Sequence, residues 1–128
     1  MQTKVSNARS ECYSIWNTNG GNDTQDKIFL LSYREANKYF DVTYENSQNM
    51  RSRVVPTEFV KKQGAWTNSD YKAEGGKPAG WWWLRSPGNF QNRAAHVDHG
   101  GSLTYINVLS ESASVRPAFL LHLGSDLF

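Results

Sequence analysis

The sequence predicts an α+β domain in which two or three short helices pack on antiparallel β-hairpins. Apolar residues follow helical spacing in the first half of the chain and alternate as in strands after Gly64. The length of 128 residues is close to the commonest domain size. We therefore expect one domain over residues 1–128, with its hairpins in the last third.

The clearest helix begins after Ser32, which is a suitable N-cap. Glu35 lies three positions later and completes a capping box. The apolar residues that follow at helical spacing predict a helix over about 33–40, and an apolar run of strand length, 27–31, precedes it. A weaker pattern favours an N-terminal helix over about 6–16.

A second helix is predicted from Thr57 to Gln63. Thr57 can cap it, Phe59 and Val60 are expected to face inward, and Gly64 is expected to end it in the left-handed conformation.

Strands are predicted after Gly64. The tryptophan-rich segment 81–85 is bulky and continuous, which is typical of a strand buried on both faces. Apolar and polar residues alternate in segment 94–98. We therefore expect Ala95 and Val97 to face inward and His96 and Asp98 to face outward. A turn at 99–101, a return strand over 102–105 and a closing strand over 115–121 complete the prediction.

Composition excludes several functions. The net charge is +2 and the basic residues are scattered, so we expect no nucleic-acid partner. No apolar run approaches the roughly 20 residues of a membrane span, and the N-terminus resembles no signal peptide. The single cysteine, Cys12, excludes an internal disulfide framework. His96, Asp98 and His99 are too few for a zinc site, so we expect no metal and no cofactor.

The stretch 86–114 has a distinctive composition. It contains no lysine, one arginine (Arg93), and many Asn, Ser, Gly, Tyr, His and Asp residues. This mixture is typical of binding loops, in which Tyr supplies contact area and small polar residues supply adaptable hydrogen bonds. Polar hairpin loops without a partner would have the same composition, and both interpretations stay open.

Several motifs occur in a fixed order: Trp82-Trp83-Leu84-Arg85-Ser86-Pro87-Gly88 and, near the end, Val115-Arg116-Pro117-Ala118, preceded by the helical segments. This pattern resembles a bacterial domain of unknown function with a C-type-lectin-like fold, found at the C-termini of larger surface and phage-associated proteins. It also resembles the variable proteins of diversity-generating retroelements. The resemblance covers about residues 26–123. Against that family the N-terminus is short, so an early strand or upstream domain is expected to be missing.

The resemblance implies a rigid scaffold that displays variable side chains. By position, the scaffold would be Trp82, Trp83, Leu84, Arg85, Pro87, Gly88, Ala95, Val97, Gly101, Leu103, Val108, Val115, Arg116 and Pro117. The ligand-binding positions would be Asn89, Phe90, Gln91, Asn92, Arg93, His96, Asp98, His99, Tyr105, Ile106, Asn107, Leu109, Ser110, Glu111 and Ser112, continuing to Ser114. Most of these residue types arise when adenines of asparagine codons are mutated, although Gln91 and Glu111 do not fit that scheme.

The expected function is therefore binding of a protein or glycan receptor through residues 89–114, with Phe90, His96, Tyr105 and Ile106 as anchors. The location implied is a bacterial cell surface or a phage virion. The calcium signatures of sugar-binding animal lectins are absent, so calcium-dependent binding is not implied. The alternative is a structural or assembly module of a surface or phage-tail protein.

Catalysis is not expected. The same fold superfamily includes the sulfatase-activating formylglycine enzymes, which work through a cysteine pair that Cys12 alone cannot supply. Arg85 and Arg116 adjoin apolar segments, where a guanidinium can recognise an anion or satisfy loop carbonyls and a carboxylate. Trp82 and Trp83 are expected in the core, with Trp81 partly exposed.

Overall fold

The computed structural model describes residues 2–121. Within this range seven short strands and two helices follow one another, and single 3-10 turns lie at Arg9–Glu11 and Met50–Ser52. The strands are β1 Thr3–Val5, β2 Thr24–Asp26, β3 Thr67–Lys72, β4 Pro78–Gly80, β5 Trp82–Pro87, β6 Arg93–Val97 and β7 Leu103–Asn107, and the helices are α1 Tyr33–Phe40 and α2 Glu58–Lys62.

The strands form antiparallel pairs β1–β2 and β3–β4 and a three-stranded antiparallel sheet in the order β5–β6–β7. Both helices precede that sheet in the chain, which confirms the predicted α+β class. The return strand β7 is longer than the predicted 102–105.

Helix α1 has the predicted bounds and cap. The Ser32 side chain accepts from the Glu35 amide, and the Glu35 carboxylate accepts from the Ser32 amide at 2.9 Å. Helix α2 is capped by Thr57 as predicted, but Phe59 is 71% exposed. Neighbouring helical residues point about 100° apart, and on this helix Val60 is half-buried while Phe59 faces solvent.

The N-terminal helix predicted over 6–16 is wrong: only the 3-10 turn Arg9–Glu11 forms there. The segment is instead tied to strand β5, where the Ser86 hydroxyl donates to the Glu11 carbonyl at 3.1 Å. The strands predicted over 27–31 and 115–121 reduce to one bridge, in which Phe29 and Ala118 exchange backbone hydrogen bonds of 2.9 and 2.8 Å.

The core lies beneath the β5–β6–β7 sheet. Its buried residues are Ala36, Val42, Trp82, Leu84, Ala95, Val97 and Leu103. The Trp82 indole donates to the Ser52 carbonyl at 2.9 Å, so its one polar atom is satisfied. Strand β5 alternates between buried and half-buried residues, so it is not buried on both faces as predicted. Three predicted scaffold residues, Val108, Val115 and Pro117, are exposed.

Candidate functional site

The β6–β7 hairpin supports most of the predicted binding residues. Ala95 pairs with Tyr105, and Val97 pairs with Leu103. Its turn is held by the Asp98 carboxylate, which accepts from the Gly100 and Ser102 amides at 3.0 and 2.9 Å. Asp98 was predicted to face a ligand, but it is partly buried and its carboxylate is used within the turn.

At the other end of this hairpin two turns meet. The β5–β6 turn is closed by the Gly88 amide, which donates to the Arg93 carbonyl at 2.7 Å. The Val108 amide donates to the Asn92 carbonyl at 3.1 Å, which ties the segment after β7 to the first turn. The Leu109 amide donates to the Asn107 side chain at 2.9 Å. The backbone here is therefore fixed by hydrogen bonds.

We call the side chains at this end the hairpin-tip surface, made up of Phe90, Arg93, Tyr105, Asn107 and Leu109. Phe90 is 61% exposed and Leu109 is 84% exposed. The Arg93 guanidinium lies 5.7 Å from the Phe90 ring centroid and 5.3 Å from that of Tyr105. Cation–π contacts of this kind hold aromatic side chains in place at a surface.

Three further predicted residues, Asn89, Gln91 and Asn92, belong to the same turn. Gln91 and Asn92 are exposed, whereas Asn89 is partly buried. The Gln91 amide group donates to the Asn19 carbonyl at 3.3 Å. Ile106 is half-buried on β7. The structure thus brings residues 89–93 and 105–109 together as predicted.

The outward orientation predicted for His96 is wrong. His96 is only 2% exposed, and neither ring nitrogen has a hydrogen-bond partner within the described chain. Its ring lies 5.2 Å from Trp81 and 6.2 Å from Trp83 by centroids. The simple in–out alternation fails because these tryptophans cover the second face of the sheet. Burial, reinforced by the nearby His99, lowers the pKa of His96 to about 4.

His99 belongs to an aromatic cluster at the turn end of the hairpin. The Trp81 indole donates to its Nδ1 at 2.9 Å, so neutral His99 carries its proton on Nε2. Tyr71 lies 4.4 Å and Trp66 5.4 Å from the His99 ring by centroids. Trp66 is an exposed aromatic residue that sequence reasoning missed, because its place beside the hairpin depends on long-range packing.

The remaining predicted residues, Ser110, Glu111 and Ser112, lie in the segment between the hairpin-tip surface and the aromatic cluster. Glu111 is exposed, and Ser110 and Ser112 are half-buried. The Ser112 carbonyl accepts from the Trp66 amide at 2.9 Å, which places this segment beside the aromatic cluster. A five-residue strand spans about 15 Å. Asp98, His99 and Ser112 therefore do not join the hairpin-tip surface.

Arg85 and Arg116, the two arginines beside apolar segments, differ in their hydrogen-bond partners. The Arg85 guanidinium donates to the Ser6 and Leu30 carbonyls at 2.9 and 2.8 Å and pairs with the Glu35 carboxylate, which confirms a structural role. Arg116 makes no hydrogen bond or ion pair with any described residue, and its Nη1 atom is buried without a partner. It stacks instead on Phe40 and Trp82, 4.2 and 5.0 Å from their centroids.

Within residues 2–121 no three His, Cys, Asp or Glu side chains converge as metal ligands. No helix among the described residues is long and apolar enough to cross a membrane. Burial raises the pKa of the Cys12 thiol, which disfavours the nucleophilic thiolate.

The fold and this surface define an α+β domain whose antiparallel hairpins carry exposed apolar residues on hydrogen-bonded turns. The chain belongs to a family described as domain of unknown function DUF6273, whose profile matches residues 1–123. No curated protein and no solved structure matches the chain.

Proposed function

We propose that this domain binds a protein or glycan receptor through the hairpin-tip surface. The observation that carries the proposal is the pairing of exposed Phe90 and Leu109 with turns whose backbones are fixed by hydrogen bonds. A solvated turn gains nothing from such side chains, whereas clustered exposed apolar residues are typical of interaction sites. Arg93 and Tyr105 add the residue types enriched at binding hot spots.

We also propose that this α+β fold is a C-type-lectin-like scaffold, because the sequence motifs resemble those of a family with that fold. A core buried beneath the hairpin holds the surface in place before a ligand arrives, which reduces the entropy lost on binding. We place the domain on a bacterial cell surface or a phage virion. Its hairpin-tip residues match the positions that retroelement variable proteins diversify. A reverse transcriptase gene beside a near-copy of the segment encoding 89–114 would support diversification, and its absence would count against it.

The binding test compares two double variants with equally exposed apolar residues removed. Phe90→Ser with Leu109→Ser changes the hairpin-tip surface, and Ile15→Ser with Phe59→Ser changes exposed residues elsewhere. Each protein is biotinylated, assembled on fluorescent streptavidin, and applied to a printed glycan array and to intact bacteria of several species.

We expect the hairpin-tip variant to lose at least about tenfold of the wild-type signal, because hot-spot side chains contribute about 2 kcal/mol each. The control variant should retain the signal, and both should keep the wild-type melting temperature. Equal signals from the two variants would refute the proposal, as would no wild-type signal on either probe.

An assembly module of a surface or phage-tail protein is the second candidate. Exposed apolar side chains also occur away from the hairpin, at Ile28, Phe119 and Leu120 among others. Such residues suit packing against a neighbouring subunit. Sedimentation equilibrium distinguishes the two: a mass that rises with concentration, and that falls to the monomer in an Ile28→Ser, Phe119→Ser variant, favours assembly.

A further inference from the structure

A groove of about 400 Å³ opens between helix α1 and the segment that follows Ser114. Its walls include the aromatic residues Phe29, Phe40 and Phe119 and the aliphatic residue Leu120, with Arg116 and Glu35 as its charged groups. It shares no lining residue with segment 89–114. Ligand pockets in proteins have this size and this character, mostly apolar with a few convergent polar groups.

The two charged groups of the groove differ in how they are satisfied. Glu35 accepts from the Ser32 amide and pairs with Arg85, so its charge is already balanced. Arg116 has no such partner among residues 2–121, and burial lowers its pKa. The guanidinium nevertheless remains charged, because the ordinary pKa of arginine lies so far above neutral pH that this lowering does not neutralise it. Among residues 2–121, Arg116 is therefore the charged group of the groove that has no counter-ion.

No Arg116 N–H donor bonds to a described residue. Its Nη1 atom is buried, so a ligand in the groove would be reached through the other N–H groups of the guanidinium. The guanidinium stacks on the Phe40 and Trp82 rings, which hold it through its faces and not through its N–H groups. Five N–H donors in a planar fork match the two oxygens of a carboxylate. A partly desolvated fork beside aromatic walls is complementary to an anion that carries an aromatic body.

We propose that this groove binds a small organic carboxylate with an aromatic ring. The carboxylate accepts from the Arg116 N–H groups, and the ring lies against the phenylalanine walls. This is a second site, separate from the hairpin-tip surface, and it does not depend on the function proposed there.

The test uses the full chain and two probes of equal shape, naphthalene-1-acetate and naphthalene-1-acetamide, with binding measured by calorimetry and by NMR shifts. We expect the acid to bind at least about tenfold more tightly than the amide, the factor that one charge-assisted hydrogen bond supplies. Arg116→Gln should lower the affinity for the acid to that of the amide. Failure of the acid to bind, or equal binding of the amide, overturns the proposal.

A second variant keeps the test valid if Arg116→Gln loses stability. Leu120 is exposed at the groove, so Leu120→Glu adds a carboxylate there with no loss of core packing. Leu120→Glu should lower the affinity for the acid by about tenfold, through repulsion from the added carboxylate, and the affinity for the amide much less. Leu109→Glu, which adds a carboxylate at an exposed position elsewhere, should change neither affinity. A mass that increases with concentration only when Arg116 is present, or NMR contacts from residues 122–128 to Arg116 in the free protein, would identify a different occupant and overturn the proposal.

Discussion

The buried imidazole of His96 makes stability fall as the pH is lowered. Its pKa is about 4 in the folded protein against an ordinary value of 6.5. Between these values the unfolded chain binds a proton that the folded protein does not, so acid favours unfolding. Each pKa unit corresponds to 1.36 kcal/mol, so this one residue removes about 2 kcal/mol between pH 7.5 and pH 5 and about 3 kcal/mol by pH 4.

The variant His96→Leu isolates this effect because leucine has a similar volume and does not titrate. It also removes two ring nitrogens that have no hydrogen-bond partner within the described chain, so we expect stability at pH 7.5 to stay equal or rise. Urea unfolding followed by tryptophan fluorescence at pH 7.5 and pH 5 gives the free energies of unfolding. The wild type should lose about 2 kcal/mol more than the variant.

His99→Gln is the matched control for this measurement. It removes the neighbouring imidazole but leaves His96 buried, and burial is the larger cause of the lowered pKa. Between pH 7.5 and pH 5, the His99→Gln variant should lose most of the free energy of unfolding that the wild type loses. Identical pH dependence in the wild type and in His96→Leu would show that His96 is not buried as the structure places it, and the argument would fail.

Substitutions at three other positions, Gly101 and Asp98 in the hairpin turn and Arg85 on β5, test the framework of the sheet by chemical denaturation. Gly101→Ala should cost at least about 3 kcal/mol, since Gly101 has φ +94° and an added Cβ would lie 2.2 Å from the Asn49 carbonyl oxygen. Asp98→Ala should cost about 1–2 kcal/mol by leaving the two turn amides unpaired, whereas Asp98→Asn keeps an acceptor and should cost less. Arg85→Leu should cost about 2 kcal/mol, because it leaves the Glu35 carboxylate without its cation. A cost below about 0.5 kcal/mol in any of the three would contradict the contact concerned.

The sequence predicted correctly those elements that depend on residues close together in the chain. The Ser32 and Glu35 capping box placed α1 with its observed bounds, and alternation placed Ala95 and Val97 in the core. These features depend on residues within one turn or one strand pair. Nothing distant has to be known to recognise them.

The errors share a long-range cause. His96 follows the same alternation as its neighbours, yet the chain folds Trp81 over the second face of the sheet, and no local pattern reports that cover. The N-terminal helix fails similarly: this segment makes a long-range contact that no local pattern reports, in which the Ser86 hydroxyl donates to the Glu11 carbonyl across 75 residues of sequence. The sequence also suggested one continuous binding stretch, 89–114. In the structure this stretch forms turns at opposite ends of the β6–β7 hairpin, and the length of the strands keeps the two ends apart.

This division explains how the hairpin-tip surface can change without unfolding the domain. Two bonds that hold the turns there join backbone groups, the Gly88 amide to the Arg93 carbonyl and the Val108 amide to the Asn92 carbonyl, and they do not depend on side-chain identity. Asn107 is an exception on this surface, because its side chain accepts from the Leu109 amide. Substitution of exposed side chains usually alters stability by less than about 0.5 kcal/mol. At the opposite end, Asp98 and Gly101 are fixed by geometry and tolerate little change. Variation concentrated at the hairpin-tip surface is therefore physically permitted, and variation at the turn is not.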